Sequence, residues 1–291
     1  MKTSSCRQIR VTRIAATVAA LIITSPAFAA NLTGSSFEID EDANLKVETA
    51  GLDWNNVSQT RVLDIPSGRD DNSFGQGAKE DTPAPTVVTG SIPPNKSDLK
   101  EFGVYEEIHG EGTQFNYFLH LYWTRVQDPS GTTNMDFELN QNPPQAPFLS
   151  SNGITPVRIH GDRLIAYDLS KGGTHPNLFV YKWLEHGEGG TMSCEASNSF
   201  PCWGGRTNLT LTGDAIGSIN SSPIPAADSE IGSLDPRTFG EASVNLAAIF
   251  PSGVCGTFAS AYVKSRSSDS FTSALKDFIA PIKVQISNCG A

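Results

Sequence analysis

The chain has 291 residues, with 21 Lys and Arg against 31 Asp and Glu, a formal charge of −10 at pH 7. An acidic excess repels phosphate backbones and anionic lipid, which argues against nucleic acid and membrane surfaces as partners. The length suffices for one large domain or two small ones, each with a real apolar core.

The first thirty residues read as an export signal. Lys2, Arg7, Arg10 and Arg13 form a basic stretch without an acidic residue, and an apolar run over 14–23 follows, broken by Thr24-Ser25-Pro26. Ala27-Phe28-Ala29 then offers small residues at the two positions that a signal peptidase reads. The run is shorter than the roughly 20 apolar residues of a spanning helix. Cys6 lies upstream of the run, so no lipid-accepting cysteine sits at the cut. The expectation is a secreted protein cleaved after Ala29, a single domain over 30–291, and no integral membrane segment. Removing the four basic residues leaves 17 against 31 acidic ones, a formal charge of −14.

Along the remaining chain, period-2 alternation dominates. Short strands are expected at 37–39 and 45–47. The stretch 61–94 is rich in Gly, Asp, Pro and Ser and reads as a long irregular loop. Ser97 could cap a short helix over 96–102. Residues 116–126 (NYFLHLYWTRV) are rich in aromatic and branched side chains and predict a central strand. The turn Asp128-Pro129-Ser130-Gly131 ends it. A clean alternation over 134–140 (NMDFELN) predicts its hairpin partner. Further strands are expected at 157–159, 164–169, 178–184, 209–211, 242–246, 260–264 and 282–286. A helix is expected over 270–279, where Phe271, Leu275, Phe278 and Ile279 share a helical spacing before Pro281. Many short strands with regular turns predict an all-β fold, an antiparallel β-sandwich or jelly roll with one or two short helices.

Four cysteines follow the signal, and four allow three pairings. Cys194–Cys202 would close a short loop holding Ser197, Asn198 and Pro201, and Cys255–Cys289 would tie two strand-like runs near the end of the chain. These two pairings are favoured. Zinc is disfavoured, because no C-x₂₋₄-C pair or nearby histidine accompanies them.

Candidate chemistry is sparse. No G-x-S-x-G elbow and no H-E-x-x-H run is present. The five histidines, His109, His120, His160, His175 and His186, form no ligand motif, and His120 could face solvent between Leu119 and Leu121. Asp70, Asp71 and Asp81 flank a Gly-rich loop. They are either a solvated acidic turn or hard-oxygen ligands for calcium, the one cofactor the sequence suggests. Asp40, Glu41 and Asp42 form a second acidic cluster. Asp136 and Glu138 share one strand face, about 7 Å apart. Trp203, next to a stapled loop, could stack on a sugar ring, and Trp54 is a second tryptophan whose exposure the sequence leaves open.

The run Asn134-Met135-Asp136-Phe137-Glu138 resembles the E-x-D-x-E strand of family-16-like glycoside hydrolases, which are jelly rolls. That resemblance would put the nucleophile at Asn134 and the acid/base at Glu138, but Asn cannot form a glycosyl ester. The segments SIPPNKSDLK (91–100), TTNMDFELNQ (132–141), GDRLIAYDLSKGGTHP (161–176), RTFGEASVNL (237–246) and AYVKSRSSDSFTSALKDFIAP (261–281) resemble a group of uncharacterised secreted proteins of actinobacteria and other soil bacteria. The resemblance implies a secreted surface-type β-protein and no particular activity. The expected function is thus a non-enzymatic extracellular or cell-surface protein with a binding or structural role, its partner an extracellular glycan or another surface protein. The alternative is a carbohydrate-active protein, a glycan-binding module or a glycosidase, using Asp136 and Glu138.

Overall fold

The computed structural model describes residues 30–39, 43–47, 51–65, 68–75, 77–90, 93–111, 114–129, 132–169, 176–187, 193–250 and 253–289. The export signal, the acidic cluster at Asp40, Glu41 and Asp42, and His175 lie outside the described residues.

The fold is all-β, as the alternation predicts. In chain order the strands are β1 (Ala30–Asn31), β2 (Glu38–Ile39), β3 (Thr60–Leu63), β4 (Asn72–Phe74), β5 (Val87–Thr89), β6 (Leu99–Glu111), β7 (Gln114–Arg125) and β8 (Asn134–Asn140). They continue with β9 (Arg163–Asp168), β10 (Asn177–Leu184), β11 (Cys202–Trp203) and β12 (Thr207–Asn208). A one-turn helix α1 (Leu209–Thr212) precedes β13 (Ala215–Ile219), β14 (Phe239–Asn245), β15 (Thr257–Arg266) and β16 (Leu275–Ser287). One sheet runs β11-β10-β9-β8-β15-β16, with β12 also on β10, and the other runs β13-β14-β7-β6-β3. The pairs within both are antiparallel.

The two sheets face each other across one core. Met135, Phe137 and Leu139 of β8, Ile165 and Tyr167 of β9, and Ala261 and Val263 of β15 meet Phe102, Val104, Leu119, Leu121 and Trp123 from β6 and β7. Each large side chain buried this way contributes about 1.5–3 kcal/mol. Two glycines sit where aromatic rings need room. Gly103 lies opposite Tyr122 and Gly240 opposite Trp123. A Cβ on Gly103 would fall 1.9 Å from the Tyr122 ring, and one on Gly240 would fall 2.4 Å from Trp123.

Several expected elements differ. β7 and β8 are strands but not a hairpin: β7 pairs with β6 and β14, whereas β8 pairs with β9 and β15. The chain therefore passes from one sheet to the other between β7 and β8. The expected helix at 270–279 gives way to β16, whose pairing with β15 shifts register between Ala261 and Val263 and again between Lys264 and Arg266. The second shift puts Leu275 and Phe278, three residues apart, in one cluster, while Ile279 faces the main core by ordinary alternation, so an apolar spacing that looks helical belongs to an irregular strand. The expected helix at 96–102 is a turn followed by β6. Residues 209–211 form α1, capped by Asn208 through its side chain and ended by Gly213 in the left-handed region at φ 78°. Residues 157–159 form no strand. Both favoured disulfides are present, with Cα atoms 5.7 Å apart for Cys194–Cys202 and 4.9 Å apart for Cys255–Cys289.

The outer face of the β7 sheet is covered by the first part of the chain. Phe37 and Trp54 pack there on Tyr122 and Phe239, and the Trp54 indole donates to Glu241 Oε2 at 2.9 Å. Glu107 anchors this arm. Its carboxylate accepts from Ser35 Oγ at 2.5 Å and from the Ser36 amide at 2.8 Å. His109 bonds to the same carboxylate, as does His120 at 3.1 Å. The other His120 nitrogen meets Ser243 Oγ at 2.7 Å, and its ring stacks on Phe37 at 4.0 Å. His120 is therefore buried in the network rather than turned to solvent.

Burial alone would raise the Glu107 carboxyl, but hydrogen bonds from His120, Ser35, His109 and Ser36 bring it down to about 2. Burial holds His120 below its ordinary value, against the pull of Glu107. Both shifts are depressions, so both contributions are present at neutral pH. That of His120 is lost below about 6.5, and that of Glu107 as pH falls from its ordinary 4.5 through about 2. Glu107→Gln is expected to cost about 2–3 kcal/mol at pH 7. Urea unfolding at pH 7, 5 and 3 should show the gap between wild type and variant shrinking on acidification; a constant gap would rule out an ionised anchor.

Candidate functional site

The outer face of the β8 sheet carries the residues with chemical potential, and the structure closes it. On β8, Asn134, Asp136, Glu138 and Asn140 point away from the core, and all four are buried. Register places Tyr262 opposite Glu138, Lys264 opposite Asp136 and Arg266 opposite Asn134. Arg158, in the coil before β9, lies across the same face.

Glu138 is surrounded by donors. Arg158 reaches it with Nε at 2.7 Å and Nη2 at 2.8 Å, Lys264 Nζ at 2.6 Å, Tyr262 OH at 2.7 Å and Asn140 Nδ2 at 3.0 Å. Asp136 takes a two-pronged bond from Arg266, at 2.5 and 3.1 Å. The stretch 61–94, expected as an irregular loop, supplies the lid: it holds β4 and β5 and delivers Glu80 onto the face. Glu80 Oε2 lies 2.5 Å from Lys264 Nζ, and its Oε1 lies 3.9 Å from Arg266 Nε. The Glu80 carbonyl accepts from Arg158 at 2.9 Å and from the Trp203 indole at 3.1 Å. Three carboxylates thus meet three cations out of water, the arrangement in which buried charge is tolerated.

The electrostatics of Glu138 argue against a general-acid role for it, whereas burial pushes the Glu80 carboxyl on the same face up to about 7. Burial alone would raise the Glu138 carboxyl, yet Arg158 and Lys264 hold it well below the usual carboxylate range. A general acid needs the opposite shift, and a route for substrate. Asp136 and Glu138 are each at most 1 % exposed, so the expected accessible carboxylate pair is corrected: both are structural ions. Trp203 is corrected in the same way, being fully buried against Trp183 at 5.1 Å. Trp54 is buried too.

The acidic loop also rearranges the expected set. Asp81 Oδ1 accepts from the Trp203 amide at 2.8 Å, which commits it to the lid. Asp70 is exposed. Asp71 is buried, and it meets Asp64 and Asp277 rather than its expected partners; their carboxylate oxygens lie within 4.8 Å of one another. Burial drives the Asp277 carboxyl up to about 9, helped by the charges of Asp64, Asp71 and Asp98. Burial raises Asp64 to about 7 and lifts Asp71 in the same direction. Sequence reasoning missed Asp64 and Asp277 because each stands alone among apolar or unrelated residues.

A groove opens beside the closed face. It has a volume of about 460 Å³ and is lined by Pro83, Ser150, Val157, Arg158, Trp183 and Pro201 among others. The Arg158 guanidinium stacks over Trp183 at 4.8 Å and Trp203 at 5.2 Å, which fixes the floor. Val157 is 42 % exposed, and Phe148 and Phe200, next to lining residues in the hydrogen-bonded coil and the stapled loop, are exposed to a similar extent.

Glu138→Ala leaves Arg158 buried without its counter-charge and Lys264 with Glu80 alone, so it is expected to cost about 3–5 kcal/mol, measured by denaturant unfolding. A loss below about 1 kcal/mol would mean that water already reaches the face. Among the described residues no helix is long and apolar enough to cross a membrane. No known protein family, curated protein or solved structure matches the chain.

Proposed function

We propose that this is a secreted, non-enzymatic β-sandwich protein that acts by binding, with the groove at Val157 and Trp183 as its ligand surface and an extracellular glycan as its ligand. The observation that carries the reading is the groove itself. Its volume of about 460 Å³ falls in the range of ligand sites. Apolar Val157 and Pro201 stand beside polar Ser150, Ser151 and Glu185 on its walls. This mixture suits a sugar, whose C–H faces pack on apolar and aromatic surfaces while hydroxyls meet polar groups. A disulfide holds the Pro201 side, and the neutralised ion cluster lies beneath Arg158, so the walls are rigid before any ligand arrives. Rigid walls lower the entropic cost of binding. The two disulfides fit an oxidising extracellular setting.

Glycan arrays and pull-downs from culture medium test the reading. Retention of a glycan by wild type, weakened about tenfold or more by Val157→Arg or Phe200→Ala with the melting temperature preserved, is the expected result. Turnover of any polymer that a point mutation abolishes would sink the non-enzymatic reading. Capture of a protein with no glycan bound would replace the ligand class.

A further inference from the structure

The geometry points to a calcium site formed by Asp64, Asp71 and Asp277 where the 61–94 segment crosses β16. Each carboxylate spends one oxygen on a backbone amide and leaves the other without an N–H or hydroxyl donor. Asp64 Oδ1 accepts from the Ile65 amide at 2.8 Å, and Asp71 Oδ1 accepts from the Asn72 amide at 2.7 Å. Asp277 Oδ2 accepts from the Leu99 amide at 2.7 Å. The remaining oxygens, Asp64 Oδ2, Asp71 Oδ2 and Asp277 Oδ1, are buried and meet no N–H or hydroxyl donor; the one side-chain contact of hydrogen-bond type there is between the Asp64 and Asp277 carboxyls themselves. Asp71 and Asp277 are themselves fully buried.

Three half-used carboxylates close together, two fully buried and Asp64 half-buried, are costly unless something positive sits among them. Among the described residues no Lys or Arg forms an ion pair with any of the three. The charges acting most strongly on Asp64 and Asp277 are those of other aspartates, Asp98 included. The separations fit one ion. Two oxygens on the same calcium, each about 2.3–2.6 Å from it, lie at most about 5 Å apart, and one carboxylate oxygen from each of the three aspartates lies within 4.8 Å of the others. A purely carboxylate donor set with irregular geometry suits calcium, which accepts six to eight oxygens, better than magnesium or zinc. Water would complete the coordination.

The site has a structural consequence. Asp64 follows β3 and Asp71 precedes β4, so a bound ion pins both ends of the turn that begins the lid. Asp277 lies on β16, with Leu99 at the start of β6. Calcium thereby fastens the lid, and Glu80 with it, to both sheets. The competing arrangement is a proton shared between Asp64 and Asp277.

Chelator-treated full-length protein titrated with calcium chloride in a calorimeter distinguishes the two. One calcium per chain and a melting temperature about 5 °C or more higher in millimolar calcium than in chelator are expected. Asp277→Asn keeps an acceptor for the Leu99 amide but removes charge. It should abolish the calcium-dependent rise while melting at or above wild type in chelator; Asp71→Asn should act alike. Asp70→Asn should leave the rise intact. If wild type takes up no calcium and melts identically in calcium and chelator, the carboxylates share protons and the proposal is wrong. An Asp277→Asn protein that retains the full rise would equally overturn it. The wild-type titration decides the matter even if a variant fails to fold.

Discussion

Lys264 and the two carboxylates that hold it, Glu80 and Glu138, are the constraint around which the rest of this molecule is arranged. A lysine near the end of β15, on the outer face of a sheet, would ordinarily reach water along its stem. Here it is buried with Glu138 at 2.6 Å and Glu80 at 2.5 Å. Arg158 and Arg266 are needed to balance the carboxylates, and Trp183, Trp203 and Tyr262 exclude the solvent that would otherwise screen them. Removing any one charge leaves an uncompensated ion, so the lid, the face and the stapled loop must form together.

Much of the fold is legible from the residues. Met135, Phe137 and Leu139 alternate with polar positions, and the alternation reports a strand with one face on a core. The cysteine spacings likewise favour the two pairings that form. Topology is less legible. Nothing local to 116–126 or 134–140 distinguishes a hairpin from two strands in different sheets, because each run is compatible with any antiparallel neighbour. The helical spacing around Phe278 is a bulge in disguise, and a bulge depends on the partner strand rather than on its own sequence.

The candidate site is legible only in part, for a related reason. Asp136 and Glu138 signal a polar strand face, but the same pattern describes a solvated face, a catalytic cleft and a charge-matched buried layer. The difference lies in Glu80 and Arg158, which arrive from other segments. Asp71 is recognisable as a member of an acidic loop. Its neighbour Asp70 is exposed in the turn before β4, and Asp277 enters from a strand far downstream. Val157 and Phe200 carry no motif at all, since a groove is a property of surfaces that meet.

The closed face also constrains how the chain can fold. Its ions come from positions 80, 136, 138, 158, 264 and 266, so the network spans most of the described sequence. Arg158 can meet Glu138 before β15 exists, but Asp136 and Glu80 find their cations, Arg266 and Lys264, only once β15 has formed near the end of the chain. Such non-local dependence implies slow, all-or-none folding rather than stepwise growth from the first strands. A chain interrupted before residue 264 would lack the cations that face Asp136 and Glu80, so the face could not close. Completion of β15 is thus a commitment point, after which opening one part means opening the whole.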